Sequence, residues 1–195
     1  MTEKEKRDLG ILYDANYDKH LLNEMSLIKA KCQKYNNIKI DNINKRTKVI
    51  KTILGSTKNN LTIMPPFWCD YGYNIHVGEN FYSNHNLIIL DGAKVSFGDN
   101  VFIGPNCGFY TAGHPLDYLR RNEGLEYAKP ITIGNNVWFG GGVLVLPGVT
   151  IGDNTVIGAG SVVTKDIPSN SLAYGNPCRV IRKIIKEDFN KNYNE

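Results

Sequence analysis

The sequence predicts a mainly β protein: a parallel β-helix of hexapeptide repeats that follows an N-terminal helical segment. The first observation behind this prediction is a strict period of six in the C-terminal half of the chain. The apolar residues that recur at this period are Ile133, Phe139, Val145, Ile151, Ile157 and Val163. The second observation is the surplus of glycine, which makes up 19 of 195 residues against an average usage of about 7%. Several glycines directly follow these apolar residues, as Gly134 and Gly152 do.

A period of six has a direct physical interpretation. Each hexad forms a short strand and a turn, with its apolar residue pointing inward and a small residue or an Asn/Asp-rich turn after it. Three hexads make one coil of roughly 18 residues in a triangular prism, and each coil covers the edge of the next. A helix is excluded because each interior glycine would cost about 1 kcal/mol. A phosphate-binding loop is excluded because no strand–loop–helix context surrounds these glycines.

The same register extends toward the N-terminus with two interruptions. Its earlier members are Val77, Ser83, Ile89, Phe97, Ile103 and Phe109. Two extra residues interrupt the count near Asp91 and Gly92. The pattern then lapses over 111–130, which predicts a loop that leaves the coil, and such loops are where function concentrates on repeat scaffolds. The coil domain is therefore predicted over residues 61–195, ending in a basic tail.

Residues 1–60 are predicted to form a helical leader. Asp18 can cap a helix that runs through about Tyr35, because apolar residues recur there at helical spacing. Asn44 is predicted to cap a second helix, and Gly55 to end it in a left-handed conformation. A shorter helix is expected ahead of these two.

Composition limits the class of protein. A hydrophobic fraction of 42% suffices for a buried core, so global disorder is excluded. No apolar run approaches the roughly 18 residues that span a bilayer. The charged N-terminus lacks the apolar stretch of a signal peptide. We therefore expect a soluble, cytoplasmic protein without a membrane partner.

Cysteine spacing and charge narrow the ligands. The four cysteines are Cys32, Cys69, Cys107 and Cys178. They form no CxxC pair, so we expect reduced, buried thiols and no metal site. The net charge is +4, with basic residues such as Lys165, Arg179 and Arg182 toward the C-terminal end, which suits a phosphate-rich small ligand. Nucleic acid is disfavoured as a partner, because no basic run interleaved with aromatic residues is present.

Several segments together resemble one family. They are YDAN (13–16), CDYGYNIHVGENFYSN (69–84), GDNVFIGPN (98–106), HPLD (114–117), ITIGNNVWFGG (131–141), PGVTIGDNTVIGAGSVVTKDIP (147–168) and GNPCRVIR (175–182). The chain resembles the maltose/galactoside O-acetyltransferases, which are left-handed β-helix acyltransferases. The resemblance implies a left-handed coil, acetyl-CoA as co-substrate, a sugar acceptor and a homotrimer with active sites between subunits. Asp70 favours a maltose-type acceptor.

The resemblance also assigns roles to residues. His114, at the root of the predicted loop, is the expected general base, since an imidazole suits proton removal from a hydroxyl near neutral pH. Asn84 is expected to stabilise the tetrahedral intermediate and to contact substrate. The expected sugar-binding residues are Asp14, Asp70, Asn84, Asp91 and Glu126, with Glu126 also orienting His114. The expected coenzyme A contacts are Trp138, Gly141, Ala159, Gly160, Thr164, Lys165, Arg179 and Arg182.

The sequence departs from the family pattern at three positions, and it leaves alternative functions open. Gly113, Phe139 and Gly92 replace residues common in the family, which leaves the acceptor open. An alternative is acetylation of an antibiotic or another xenobiotic alcohol. A metal hydratase of the carbonic-anhydrase type would need three histidines converging on zinc. A non-catalytic assembly coil is the last alternative.

Overall fold

Residues 1–189 are described in a computed structural model of the chain. Its α-helices are α1 (Glu3–Asp8), α2 (Lys19–Asn36), α3 (Ile43–Ile50) and α4 (Tyr118–Asn122), and a 3-10 helix covers Lys186–Phe189. The strands up to the loop are β1 (Tyr13–Asp14), β2 (Leu61–Ile63), β3 (Phe67–Cys69), β4 (Ile75–Val77), β5 (Phe81–Ser83), β6 (Leu87–Leu90), β7 (Val95–Phe97), β8 (Phe102–Ile103) and β9 (Gly108–Tyr110). The later strands are β10 (Ala112–Gly113), β11 (Leu125–Ala128), β12 (Ile131–Ile133), β13 (Trp138–Phe139), β14 (Leu144–Val145), β15 (Thr150–Ile151), β16 (Val156–Ile157), β17 (Val162–Val163), β18 (Ser171–Tyr174) and β19 (Arg179–Lys183).

The leader helices begin where polar side chains can cap them. Asp18 caps α2 by accepting a hydrogen bond from the Leu21 amide at 2.9 Å, as predicted. The prediction of Asn44 as the cap of the second helix is wrong. Asn42 is the N-cap, and α3 begins at the next residue, Ile43. The prediction for Gly55 is also wrong: α3 ends at Ile50, and the backbone of Gly55 is not left-handed. Gly55 instead lies so close to Tyr73 that a Cβ on Gly55 would collide with the Tyr73 backbone carbonyl.

Three parallel sheets wrap one core and form the predicted β-helix of about six coils. Face 1 is β2-β5-β8-β13-β16-β18, with β19 added antiparallel at its end; face 2 is β3-β6-β9-β14-β17; face 3 is β4-β7-β12-β15. We call the turn from face 1 to face 2 corner 1, the turn from face 2 to face 3 corner 2, and the turn from face 3 to face 1 corner 3. The chain visits the faces in this order in every complete coil.

The core confirms the sequence register. The hexad residues from Ile133 to Val163 are at most 2% exposed. Four phenylalanines form a column through the coil with edge-to-face contacts at centroid distances of 5.0–5.2 Å; they are Phe81, Phe97, Phe109 and Phe139. Each such contact contributes about 0.5–1.5 kcal/mol beyond burial of area. The column therefore binds successive coils to each other.

Corner 3 is built from stacked asparagines. Asn80, Asn100, Asn136 and Asn154 adopt left-handed backbone angles with φ of 55–57°. Each side-chain amide donates to the Oδ1 of the asparagine in the next coil, up to Asn170. Asparagine tolerates this conformation better than other residues with a side chain, so the turns repeat without glycine at that position.

Corner 2 is where the early coils depart from the hexad count. Aligned residues of adjacent coils are 20 positions apart before the loop and 18 apart after it. The extra residues near Asp91 were predicted, and a matching insertion at Asp70–Gly72 was missed. The loop 111–130, which contains β10, α4 and β11, leaves from the same corner. Insertions in three successive coils thus stack at corner 2 and build a raised region there.

Helix lengths bear on membrane insertion. Within residues 1–189, none of the helices combines the length and the apolar character needed to cross a bilayer.

Candidate active site

The leader and the loop meet at corner 2. Strand β1 pairs antiparallel with β11, and β11 pairs with β10. The register places Tyr13 opposite Glu126 and Asp14 opposite Leu125. His114 follows β10 directly, so this small sheet brings the leader to the histidine.

His114 is held by a backbone contact. Its Nδ1 lies 3.0 Å from the carbonyl oxygen of Leu125. A carbonyl oxygen can only accept a hydrogen bond, so Nδ1 carries the proton and Nε2 of the neutral ring keeps a lone pair. The side chain is 44% exposed. Glu126, which was expected to orient the ring, lies on the other side with Oε1 3.6 Å from Nε2. The Leu125 carbonyl oxygen and the Glu126 carboxyl group thus flank the two ring nitrogens.

The Glu126 carboxyl group is mostly buried beside the histidine. Its Oε2 accepts a hydrogen bond from the Tyr13 hydroxyl at 3.1 Å. Burial raises the pKa of Glu126, and the nearby charge of Asp70 raises it further, whereas the Tyr13 hydrogen bond and His114 lower it. A titratable carboxyl group therefore lies 3.6 Å from Nε2 of His114, the nitrogen that becomes charged when the ring takes up a second proton.

Two further predicted sugar contacts lie at the same corner. Asp70 pairs with Lys29 of α2, with 3.2 Å between Oδ1 and Nζ. Burial raises the pKa of Asp70, and Lys29 opposes that rise. Asp14 uses Oδ1 to accept hydrogen bonds from the backbone amides of Asn16 and Tyr17. Carboxylates on the leader and on the first coil thus flank the histidine region.

Asp91, another predicted sugar contact, is buried inside corner 2. Its side chain is fully buried, and its Oδ1 accepts hydrogen bonds from the backbone amides of Asp70 and Tyr71 at 3.0 and 2.9 Å. Burial raises the pKa of Asp91 to about 6. Through Oδ1, Asp91 ties the insertion of one coil to that of the next. Its Oδ2 is buried without a hydrogen-bond partner among the described residues, so the sugar contact expected from the sequence stays a prediction.

Asn84 lies at corner 1, the other end of face 2. Its Oδ1 accepts a hydrogen bond from the His85 amide at 2.7 Å, which orients the side-chain NH₂ group as a donor. Gly141, Ala159 and Gly160 belong to the same corner in later coils. Gly160 has φ of +70° and open space where a Cβ would project. Corner 1 therefore offers an amide donor and accessible backbone.

The remaining predicted coenzyme A contacts lie elsewhere on the coil. Trp138 points outward from face 1 and is 55% exposed. Thr164 and Lys165 are exposed at corner 2, and Arg179 is exposed on β19. Arg182, also on β19, makes a two-pronged ion pair with Asp188 at 2.6 and 2.8 Å.

The candidate residues of one chain consequently fall into two separated groups, which we call half-sites. Corner 2 carries His114, Glu126 and Asp70, and corner 1 carries Asn84. Strand β6 separates the two corners, and its four residues span at least ~10 Å at about 3.3 Å per residue. That separation exceeds the reach of a hydrogen bond.

Sequence reasoning missed three residues of the corner 2 half-site. Tyr13 and Leu125 contact the site through the pairing of β1 with β11, and Lys29 reaches it from α2. Tyr13 lies within the YDAN segment, which was the available indication.

The histidines needed by the hydratase alternative do not converge. His76 lies on face 3 against Ser56, His85 lies at corner 1, and His114 lies at corner 2. In the part of the chain that the structure describes, no three His, Cys, Asp or Glu side chains are grouped as a metal site would require. The four cysteines are buried free thiols.

The coil and its loop histidine define the class of the protein, an acyltransferase built on hexapeptide repeats. Comparison with known proteins supports this class. The family model for the bacterial transferase hexapeptide (six repeats) matches residues 130–165. The model for the maltose acetyltransferase hexapeptide capping motif matches residues 9–58.

Solved structures give the family. The chain is 52% identical to a maltose O-acetyltransferase from Clostridium difficile 630, with a TM-score of 0.93 over 95% of this chain and 99% of that one. It is 44% identical to a galactoside acetyltransferase in complex with coenzyme A, with a TM-score of 0.95 over 99% and 96% of the two chains. A hexapeptide-repeat acetyltransferase from Vibrio cholerae O1, complexed with acetyl-CoA, is 35% identical, with a TM-score of 0.85 over 95% and 100%. The chain belongs to the maltose/galactoside O-acetyltransferase family.

Proposed function

We propose that this protein transfers the acetyl group of acetyl-CoA to a sugar hydroxyl, with His114 as the general base. The observation that supports the proposal is the hydrogen bond from Nδ1 of His114 to the Leu125 carbonyl oxygen. It leaves the lone pair of the neutral ring on Nε2, and the side chain is 44% exposed. A hydroxyl is a weak nucleophile until a base takes its proton.

The proposed reaction needs no covalent enzyme intermediate. Nε2 takes the proton from the sugar hydroxyl while the hydroxyl oxygen attacks the thioester carbonyl carbon. The negative charge that develops on the carbonyl oxygen needs a donor, and the Asn84 NH₂ group supplies one. The carbon–sulfur bond then breaks, and the coenzyme A thiolate recovers the proton from the imidazolium. The products are the O-acetylated sugar and free coenzyme A.

Carboxyl groups near His114 support a polyhydroxylated acceptor. Asp70, Asp14 and Glu126 can each accept hydrogen bonds from hydroxyl groups. The names of the similar proteins suggest maltose or a galactoside as acceptor.

The thioester side of the proposal rests on corner 1 and on basic residues. Gly141, Ala159 and Gly160 offer backbone groups along which a pantetheine arm can lie. Lys165 and Arg179 offer exposed positive charge for phosphates.

We further propose a homotrimer whose sites form between chains, because one chain separates its two half-sites. Face 1 presents an outward apolar row of Tyr82, Phe102, Trp138 and Val156. Face 2 presents Trp68, Ile88, Leu144 and Val162. The outward row of face 3 is polar, with His76, Ser96, Thr132 and Thr150. Packing face 1 of one copy on face 2 of the next is a heterologous contact, which can close into a ring.

The experiment is an acceptor screen that follows release of free coenzyme A thiol. Acetyl-CoA is offered with glucose, maltose, a galactoside or an alcohol-bearing antibiotic. The proposal expects turnover with at least one sugar, and turnover with the antibiotic alone would contradict it. His114→Ala should reduce turnover by roughly 10²–10⁴-fold while coenzyme A still binds. His20→Ala is the matched control, since this exposed histidine of α2 pairs with Glu24 at 3.2 Å and lies outside the candidate site, and it should keep full activity.

A further inference from the structure

We propose that Tyr13 is a positioning residue for the acetyl-transfer reaction, holding the Glu126 carboxylate against the catalytic face of His114. The inference rests on the proposed function, in which His114 is the base. It makes the N-terminal leader part of the active site through a side chain that does not itself touch substrate.

The Tyr13 side chain is built into the site. It is 1% exposed, and its hydroxyl lies 3.1 Å from Oε2 of Glu126. Strand pairing sets the two residues directly opposite each other in register. Burial and the adjacent Glu126 charge raise the pKa of Tyr13 far above its ordinary value. The phenol therefore stays protonated and is the donor of the hydrogen bond to Glu126.

Glu126 is fixed at one oxygen and free at the other. Within residues 1–189, the Tyr13 hydroxyl is the hydrogen-bond donor that the carboxylate uses. The other oxygen, Oε1, lies 3.6 Å from Nε2 of His114. The remaining charge that faces the carboxylate is Asp70, which repels it. Without the Tyr13 hydrogen bond, burial and this repulsion would both favour a neutral or displaced Glu126.

The position of Glu126 matters when the proton moves. Once Nε2 takes the hydroxyl proton, the ring becomes a cation 3.6 Å from Oε1. An ionised carboxylate already in place stabilises that cation without reorganisation at the moment of reaction. This stabilisation is stronger in the transition state than in the ground state, so it acts on kcat more than on binding.

The test compares Tyr13→Phe, Glu126→Gln and the double variant. Tyr13→Phe removes one oxygen atom and keeps the buried ring. We expect kcat to fall about tenfold, as for loss of a hydrogen bond to a charged group, with the KM for acetyl-CoA unchanged. If Tyr13 acts through Glu126, Tyr13→Phe should change kcat less than about twofold in the Glu126→Gln background.

Tyr35→Phe is the matched control. Tyr35 is also a buried leader tyrosine, and its hydroxyl donates to the carbonyl oxygen of Ile63 in the first coil, away from the loop. This variant should lower the melting temperature and leave kcat at the wild-type value. A tenfold loss of kcat in the Tyr35 variant would show that leader stability alone explains the effect, and would overturn the positioning role.

A spectroscopic measurement separates this inference from the acceptor assignment. In protein labelled with ¹³C at glutamate carboxyl groups, the resonance absent from Glu126→Gln identifies Glu126. Tyr13→Phe should raise the pKa of Glu126, because the removed hydrogen bond lowers it. An unmoved titration overturns the Tyr13 role even if sugars are acetylated. A moved titration in a protein that acetylates no sugar supports the contact and refutes the proposed function alone.

The inference stays testable if Tyr13→Phe does not fold. Glu126→Gln keeps an acceptor oxygen for Tyr13 and removes only the charge. Wild-type kcat in that variant would overturn the proposal, and a loss of about tenfold would support it.

Discussion

Co-expressing two inactive variants should restore activity, because the structure places the His114 and Asn84 half-sites on different corners of one chain. The perturbation is co-expression of His114→Ala with Asn84→Ala. Alone, the first variant should lose roughly 10²–10⁴-fold in turnover, and the second roughly 10²–10³-fold as an oxyanion donor. In a hybrid assembly, a His114→Ala chain still provides Asn84, and an Asn84→Ala chain still provides His114.

The expected recovery follows from counting sites. If each site takes His114 from one chain and Asn84 from its neighbour, each position is intact with a chance of about one half in an equal mixture. About one quarter of the sites should then be complete in randomly assembled rings. Purification over two tags removes rings made of one variant, and a trimer that contains both variants has one complete junction out of three. The specific activity should therefore reach about one third of wild type, at least ~30-fold above either variant alone.

The assay is thiol release from acetyl-CoA with the best sugar acceptor of the screen. Co-expressed chains with two different tags are purified over both affinity steps, and light scattering gives the size of the assembly. The control is the same mixture made from separately purified variants without exchange, which should stay inactive. Activity of the co-expressed mixture equal to the mean of the two variants would refute the reasoning, since it would place both residues in one chain's site.

Three further outcomes are expected. Asp188→Ala should lower the KM for acetyl-CoA a few-fold, because it releases Arg182 from an internal ion pair; initial rates test this, and an unchanged KM would remove Arg182 from the site. Burial raises the pKa of Asp91 from 3.8 to about 6, so the folded state binds this proton more tightly and stability falls as pH rises from about 4 to 6, by up to about 3 kcal/mol. Urea unfolding of Asp91→Asn should lack that fall, and identical pH dependence in both proteins would contradict the assignment. Lys29→Met should raise the KM for the sugar more at pH 5 than at pH 7, because losing Lys29 raises the pKa of Asp70 further; equal KM values at both pH values would argue against a role for the pair.

The fold was predictable because the apolar residues that form its core recur at a fixed period in the sequence. An inward apolar residue every six positions leaves no competing arrangement over the length of the coil, and the register predicted those residues correctly from Val77 to Val163. The insertion at Asp70–Gly72 precedes Val77, the first residue of the predicted register, so the hexad count does not reveal it. The cap of α3 was predicted wrongly for a different reason. Asn42 and Asn44 have equal intrinsic preference for an N-cap, and only the structure shows that the Oδ1 of Asn42 accepts the hydrogen bond from the Lys45 amide.

The candidate site was predictable only where a motif marked it. His114 interrupts the repeat and therefore stands out, but its Leu125 partner depends on a carbonyl oxygen, which any residue could supply. Tyr13 depends on a two-residue strand that pairs with a residue 113 positions away, and no local pattern encodes such a contact. For Asp91 the sequence marks a carboxylate at an interrupted repeat, but only the packing of its neighbours shows that the side chain is fully buried.

The geometry of the coil also explains why catalysis should require more than one copy. In a prism, residues that are separated by whole coils stack on one corner. The hexad register alone therefore places Asn84, Gly141 and Gly160 at corner 1. The insertions that lift His114 and its carboxylates away from the coil all occur at corner 2. A loop on corner 2 cannot fold back across face 2 without covering the outward row from Trp68 to Val162 that a neighbouring face 1 would need. The same row that separates the half-sites within one chain can therefore join them between two.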